Sequence, residues 1–175
     1  MDRAGQLSPP RKRQHGKVTI RPMATEDAAA VAQMARELAA ALSDPEPALD
    51  AQKLVRDGTG PGRWFDCLVA VVDGRVVGYA MCCRGYEAHI GKRRLWLSDL
   101  YVRADARKRG AGRALMAAVA RLAVAQNCDA LCWDLWRENA AGRAFYESLG
   151  AVEAGDLTIW SVASRNLAPI DGGSP

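Results

Sequence analysis

Histidine is scarce: a chain of 175 residues holds two, His15 and His89. Neither lies near the cysteines in sequence and no C-x-x-C pair occurs, so no zinc or other metal site is expected. The five cysteines, Cys67, Cys82, Cys83, Cys128 and Cys132, are odd in number. All but Cys128 sit in apolar, strand-like runs, where a thiol acts as a small hydrophobe. That usage points to a reducing, cytoplasmic setting rather than a disulfide framework. No apolar run is long enough to cross a bilayer. The charged N-terminus has no apolar segment behind it to make a secretory signal, and no membrane partner is expected. Internal repeats are absent too. Net charge is missing from the body of the chain: the formal +4 belongs to residues 1–17, where Arg3, Arg11, Lys12, Arg13 and Lys17 outweigh Asp2. Balanced charge over the rest argues against a basic nucleic-acid groove.

What is present suits one domain with a sizeable core over residues 18–175, behind a disordered basic tail of residues 1–17. Val18 to Ile20 alternates as a first strand. Thr25 reads as an N-cap, and Val31, Met34, Leu38 and Leu42 form one helical stripe. A shorter helix is expected from Leu49 to Arg56. Trp64 to Val72 and Arg75 to Cys83 flank Asp73-Gly74, a strong hairpin signal. Residues 84–94 read as a polar connection. Leu95 to Val102 is a strand, followed by a helix that ends near Asn127. Ala130 to Trp136 is a strand, Asn139 to Leu149 a helix, and Leu157 to Val162 a last strand. Hairpins mixed with crossover helices predict one mixed α+β sheet, with the two strands before the crossover helices side by side and parallel.

The chain is organised around Arg107-Lys108-Arg109-Gly110-Ala111-Gly112, between a strand and the helix stripe Leu115, Met116, Val119, Leu122. The first turn of a helix carries amides with no intrahelical partner, at the positive end of its dipole. Glycine lets oxygens approach the main chain, and Arg107, Lys108, Arg109 and Arg113 add attraction. The stretch is an anion site, most naturally for phosphate or pyrophosphate.

Arg107-x-x-Gly110-x-Gly112 in that setting resembles the acyl-CoA pyrophosphate loop of the GNAT acetyltransferase superfamily. Asn139 followed by Ala140, Ala144, Phe145-Tyr146 and Leu149-Gly150 is similar to its next signature. Gly78-Tyr79-Ala80-Met81, Tyr86 to Lys92 and Leu97 to Val102 resemble its diamine (spermidine/spermine) and thialysine branch. Ser98 stands where that branch has Glu, and His89 where it has an aromatic. The resemblance implies a mainly antiparallel sheet with a parallel, splayed central strand pair and helices on both faces. It implies acetyl-CoA as co-substrate, without a metal, and direct attack by a primary amine of a small molecule: a polyamine, a diamine or a lysine-like amino acid. A homodimer is implied by the branch alone.

By the same resemblance, Arg107 to Arg113 would hold the pyrophosphate, Leu100, Tyr101 and Val102 would flank the pantetheine arm, and Asn139 would bond it. Tyr146, also placed beside the cofactor, is the expected general acid for the thiolate. An amide near Leu100 would stabilise the oxyanion if the strand bulges or splays there. Asp99, Glu87 and His89 all stand as candidates for the base, and Glu87 and Asp99 could instead attract a cationic substrate. No histidine accompanies Cys132, which reads as core rather than nucleophile. Competing readings are an acyl-CoA sensor without turnover, a protein N-terminal, lysine or aminoglycoside acetyltransferase, and an adaptor docking nucleic acid through residues 1–17.

Overall fold

Alternating apolar residues build a five-stranded sheet in the order β1-β2-β3-β4-β5. In the computed structural model, which describes residues 16–45, 47 and 49–155, the strands are β1 (Thr19–Pro22), β2 (Asp66–Val72), β3 (Arg75–Glu87), β4 (Lys92–Val102) and β5 (Ala130–Cys132). The first four are antiparallel neighbours and β4–β5 is parallel. That is the mixed sheet expected. The β2–β3 turn is the one foreseen: Asp73 (φ 49°) and Gly74 (φ 77°) both adopt the left-handed region that a tight hairpin demands.

Helices α1 (Ala28–Leu42), α2 (Ala51–Gly58) and α3 (Ala111–Ala125) complete the unit Met1–Asp134, and α4 (Ala140–Glu147) belongs to a second unit, Leu135–Pro175. Val31 and Met34 of α1 and Leu54 of α2 are fully buried in one cluster with Tyr79, Met81 and Tyr101. Leu115 and Val119 of α3 are fully buried as well. A Cβ on Gly78, the neighbour of Tyr79, would lie 3.4 Å from Leu115. Successive strand residues point to opposite faces, so α1 and α3 cover opposite sides of the sheet.

Several boundaries differ from expectation. Residues 84–94 are not a loop. Gly85, Tyr86 and Glu87 pair with Arg94, Arg93 and Lys92, and Gly91 (φ 65°) closes the turn. This hairpin end is polar on both faces, so it lacks the apolar alternation that marks a strand. A 3₁₀ turn, Thr25–Asp27, precedes α1, whose N-cap is Asp27 rather than Thr25. The second helix starts later, because the Asp50 carboxylate accepts from the Lys53 amide at 2.8 Å and caps it. β5 stops at Cys132 instead of Trp136. The strand expected at Leu157 to Val162 and residues 1–15 of the tail lie outside the described residues.

Asp27 is a buried carboxylate with strong partners. It accepts from both terminal nitrogens of Arg21 and from the Ala24 amide at 2.8 Å. The Arg21 bond, opposed by burial, holds its carboxyl below the usual range. A depressed folded pKa stabilises above the ordinary carboxylate pKa, and that stabilisation fades as pH falls through the folded value. Arg21 is 40% exposed, which tempers the expected loss. Asp27→Ala should cost about 2 kcal/mol in urea unfolding at pH 7, and less in acid. A cost below about 0.5 kcal/mol would class the pair with ordinary surface ion pairs.

Candidate active site

The cationic turn is set by backbone conformation. After a 3₁₀ turn at Ala104–Ala106, Arg107 is extended, Lys108 (φ 59°) and Gly110 (φ 86°) are left-handed, and α3 begins at Ala111 with Gly110 as N-cap. The helix therefore opens four residues later than Arg107. The first intrahelical donor is the Ala114 amide, 2.9 Å from the Gly110 carbonyl. Among the described residues, no main-chain acceptor engages the amides of Lys108, Arg109, Gly110, Ala111 or Gly112. A Cβ on Gly110 would meet nothing within 4 Å, so the approach to these amides is open. Unengaged donors beside open space, with exposed Lys108 and Arg109 alongside, fit a diphosphate. Arg107 has a different job. Its Nε donates to the Val102 carbonyl at 2.9 Å and its guanidinium lies 5.6 Å from the centre of the Tyr101 ring, binding the turn to the end of β4.

Beside that turn, β4 loses its parallel neighbour. β5 pairs only with Arg94, Leu95 and Trp96, so the β5-facing edge from Leu97 onward carries no ladder among the described residues. A bulge adds to this: Met81 faces Asp99 and Cys82 faces Leu97, leaving Ser98 unpaired. The Arg103 amide bonds the Val77 carbonyl on the β3 side. Strand backbone alternates, so Val102 and Leu100 face the vacated side. The Arg107–Val102 contact bears this out. The Leu100 amide thus points into the opening.

Asp99 sits at the same point. It is half-buried, opposite Met81, and its side chain makes no hydrogen bond or ion pair to another described residue. Burial, and secondly the nearby charge of Asp134, push its carboxyl above the ordinary range. Tyr79 and Cys67 sense the Asp99 charge, and burial pushes the Cys67 thiol up to about 12. Cys82 is likewise pushed to about 12, so neither thiol is a nucleophile at neutral pH. Tyr101 donates to Glu37 of α1 at 3.1 Å, on the same side of the sheet.

The other base candidates are elsewhere. Glu87 faces Lys92 at the hairpin end, seven residues before Asp99 on β4, which is on the order of 20 Å. It accepts from Arg94 at 2.7 Å, and that bond holds its carboxyl below the usual range. His89 is exposed in the adjoining turn. In the second unit, the Asn139 Oδ1 accepts the Gly142 amide at 2.8 Å and caps α4, leaving its amide nitrogen as the group able to donate. Tyr146 lies on α4, half-buried, its ring 5.2 Å from that of Phe145.

Asp134 and Arg94 are the residues the sequence reading missed. Asp134 follows the end of β5 and its charge reaches Asp99, and no local pattern marks where a strand stops for want of a neighbour. Arg94 lay inside a segment read as loop. Among the described residues no helix is long and apolar enough to cross a membrane, and no group of three or more His, Cys, Asp or Glu could hold a metal ion.

Comparison with known proteins agrees with this architecture. Residues 31–151 match the model of the acetyltransferase (GNAT) family. The chain is 29% identical over 153 residues to thialysine N-epsilon-acetyltransferase of Bos taurus, covering 82% of this chain and 89% of that one. It is 29% identical over 159 residues to spermidine/spermine N(1)-acetyltransferase-like protein 1 of Homo sapiens, covering 84% of this chain but 22% of that protein. The structure of ribosomal-protein-alanine N-acetyltransferase from Brucella melitensis biovar Abortus 2308 superposes with a TM-score of 0.69 at 26% identity, over 84% of this chain and all of that one. A loop of open amides at the start of α3, a sheet that splays beside it and a family match over most of the chain lead to one assignment: this protein belongs to the acetyltransferase (GNAT) family and is an N-acetyltransferase.

Proposed function

We propose that the enzyme transfers an acetyl group from acetyl-CoA to a primary amine of a small molecule, a polyamine, diamine or lysine-like compound, within a ternary complex. The carrying observation is the row of amides from Lys108 to Gly112 that meet no main-chain acceptor among the described residues, beside the stretch of β4 that β5 leaves uncovered. The amides bind the diphosphate, with Lys108, Arg109 and Arg113 adding attraction and Arg107 bracing the turn. Leu100, Tyr101 and Val102 border the slot for the pantetheine arm, and the Asn139 amide bonds it. Acetyl-CoA supplies the thioester carbonyl.

Asp99 takes the proton that the ammonium must lose before its nitrogen can attack. The Leu100 amide donates to the carbonyl oxygen as charge gathers there. As the N–C bond forms and the C–S bond breaks, Tyr146 gives its phenolic proton to the departing sulfur, and the nitrogen sheds its second proton to solvent, from which the phenol is restored. Its position in Phe145-Tyr146-Glu147-Ser148-Leu149-Gly150 after Asn139 supports that role. The lysine-like and polyamine options draw on what the named relatives act on.

Tyr146→Phe should leave the dissociation constant for coenzyme A within about twofold and lower kcat about 100-fold. Calorimetry and a thiol-release assay read the two quantities. Unchanged kcat would remove Tyr146 as the acid. The same assay, run over a panel of amines, tests the function itself.

A further inference from the structure

Asp99 is one end of a row of side chains on the α1 side of the sheet. Leu95 and Leu97 are buried beneath α3 on the opposite side. Arg94, Trp96 and Ser98 therefore share the face of Asp99. Trp96 is flanked in register by Cys83 and Cys132, and Cys83 Sγ lies 3.7 Å from Ser98 Oγ. Trp96 is 38% exposed. The reacting end of the row is acidic, with Asp99 and Asp134. The other end carries Arg94.

The guanidinium of Arg94 is held in place and incompletely used. Nη2 donates to Glu87 at 2.7 Å. Among the described residues Nη1 has only the Cys132 sulfur, a weak acceptor, at 3.6 Å. Nε is buried with no partner among the described residues. Glu87 therefore engages one of five donors, and the group retains capacity for a second carboxylate.

We propose that Arg94 reads a carboxylate on the acceptor, so that the amine acetylated belongs to an amino acid with a terminal side-chain amine rather than to a polyamine. Asp134, beside Asp99, attracts the ammonium end, and Trp96 covers the aliphatic stem between the two charges. The spacing agrees. Glu87, level with Lys92, and Cys132, level with Trp96, hold the guanidinium level with Arg94 itself, five residues from Asp99, which is on the order of 13–17 Å along β4. An ammonium and a carboxylate joined by about six single bonds span roughly 7–8 Å, and a hydrogen bond of about 3 Å at each end brings the reach to a similar length. A polyamine would instead present a second cation to Arg94.

This inference rests on the acetyl-transfer reading, and its test keeps the two apart. Thiol release from acetyl-CoA is measured with free lysine, with lysinamide and with cadaverine, which is lysine without its carboxylate. The wild-type protein should favour lysine over cadaverine and lysinamide by tenfold or more in kcat/KM. Arg94→Gln should lower the lysine-to-cadaverine ratio about 10- to 100-fold, chiefly through KM for lysine. Equal use of cadaverine and lysine by the wild type, or a ratio unmoved in the variant, overturns the carboxylate assignment. Turnover of other amines with none of these three overturns it as well and leaves acetyl transfer standing. No turnover with any amine sinks the transfer reading itself.

Discussion

Gly110→Glu should raise the dissociation constant for coenzyme A at least 100-fold while the protein stays folded. Two independent effects combine. Gly110 sits at φ 86°, where a side chain costs roughly 1–2 kcal/mol and pulls the backbone toward negative φ. That shift would turn the amides of Gly110 and Ala111 away from the diphosphate. Hydrogen bonds to charged groups contribute about 1.5–3 kcal/mol each, so two of them account for the loss. The new carboxylate also repels the ligand at the helix N-terminus. Because a Cβ there would meet no protein atom within 4 Å, packing is not the cause, and thermal unfolding should move by only a few degrees. Gly110→Ala separates the contributions: it keeps the strain, omits the charge and should lose less affinity. Calorimetry with the free nucleotide gives the answer directly. Normal affinity in the Glu variant would take the diphosphate away from this turn.

The parts of this protein readable from sequence are those fixed by local chemistry. Asp73-Gly74 demanded a tight hairpin because few other residues accept that backbone, and the hairpin is there. The stripe Leu115, Met116, Val119 gave α3 because one face had to be buried, and it is. Readings failed where neighbours decide. Tyr86, Glu87, Lys92, Arg93 and Arg94 look like a loop because they are polar, yet they pair backbone to backbone at the end of a long hairpin. Arg107 looked like a free cation for phosphate, while its Nε is committed to the Val102 carbonyl. The bulge at Ser98 and the early end of β5 are properties of pairing, and no residue type announces them. Those two features open the Leu100 amide beside Asp99. The glycine-bearing turn that opens α3 was therefore legible, and the pairing around Asp99 and Arg94 was not.

Asp99→Asn should make the protein more stable and nearly inactive at neutral pH. Burial is the first cause of the raised Asp99 pKa and the Asp134 charge the second. Tyr79, Tyr101 and Cys67, which share its surroundings, are all raised and stay neutral in that range. A carboxyl whose folded pKa lies above its unfolded value binds protons more tightly in the folded state. Its ionisation therefore opposes folding, fully above the folded pKa and not at all below the ordinary value near 4. Asparagine removes that penalty, so the melting temperature should rise at pH 7 and the gain should shrink as pH falls toward about 4. Turnover should move the other way. A base that accepts the amine proton contributes about 10²–10⁴-fold, and a loss of about 1000-fold in kcat/KM is expected. In the wild type the acid limb of kcat/KM should lie above the ordinary carboxylate range. Asp134→Asn, which removes the neighbouring like charge, should shift that limb to lower pH. An Asp99→Asn variant that is less stable at pH 7 and still turns over would make Asp99 a structural acid and send the search for the base elsewhere.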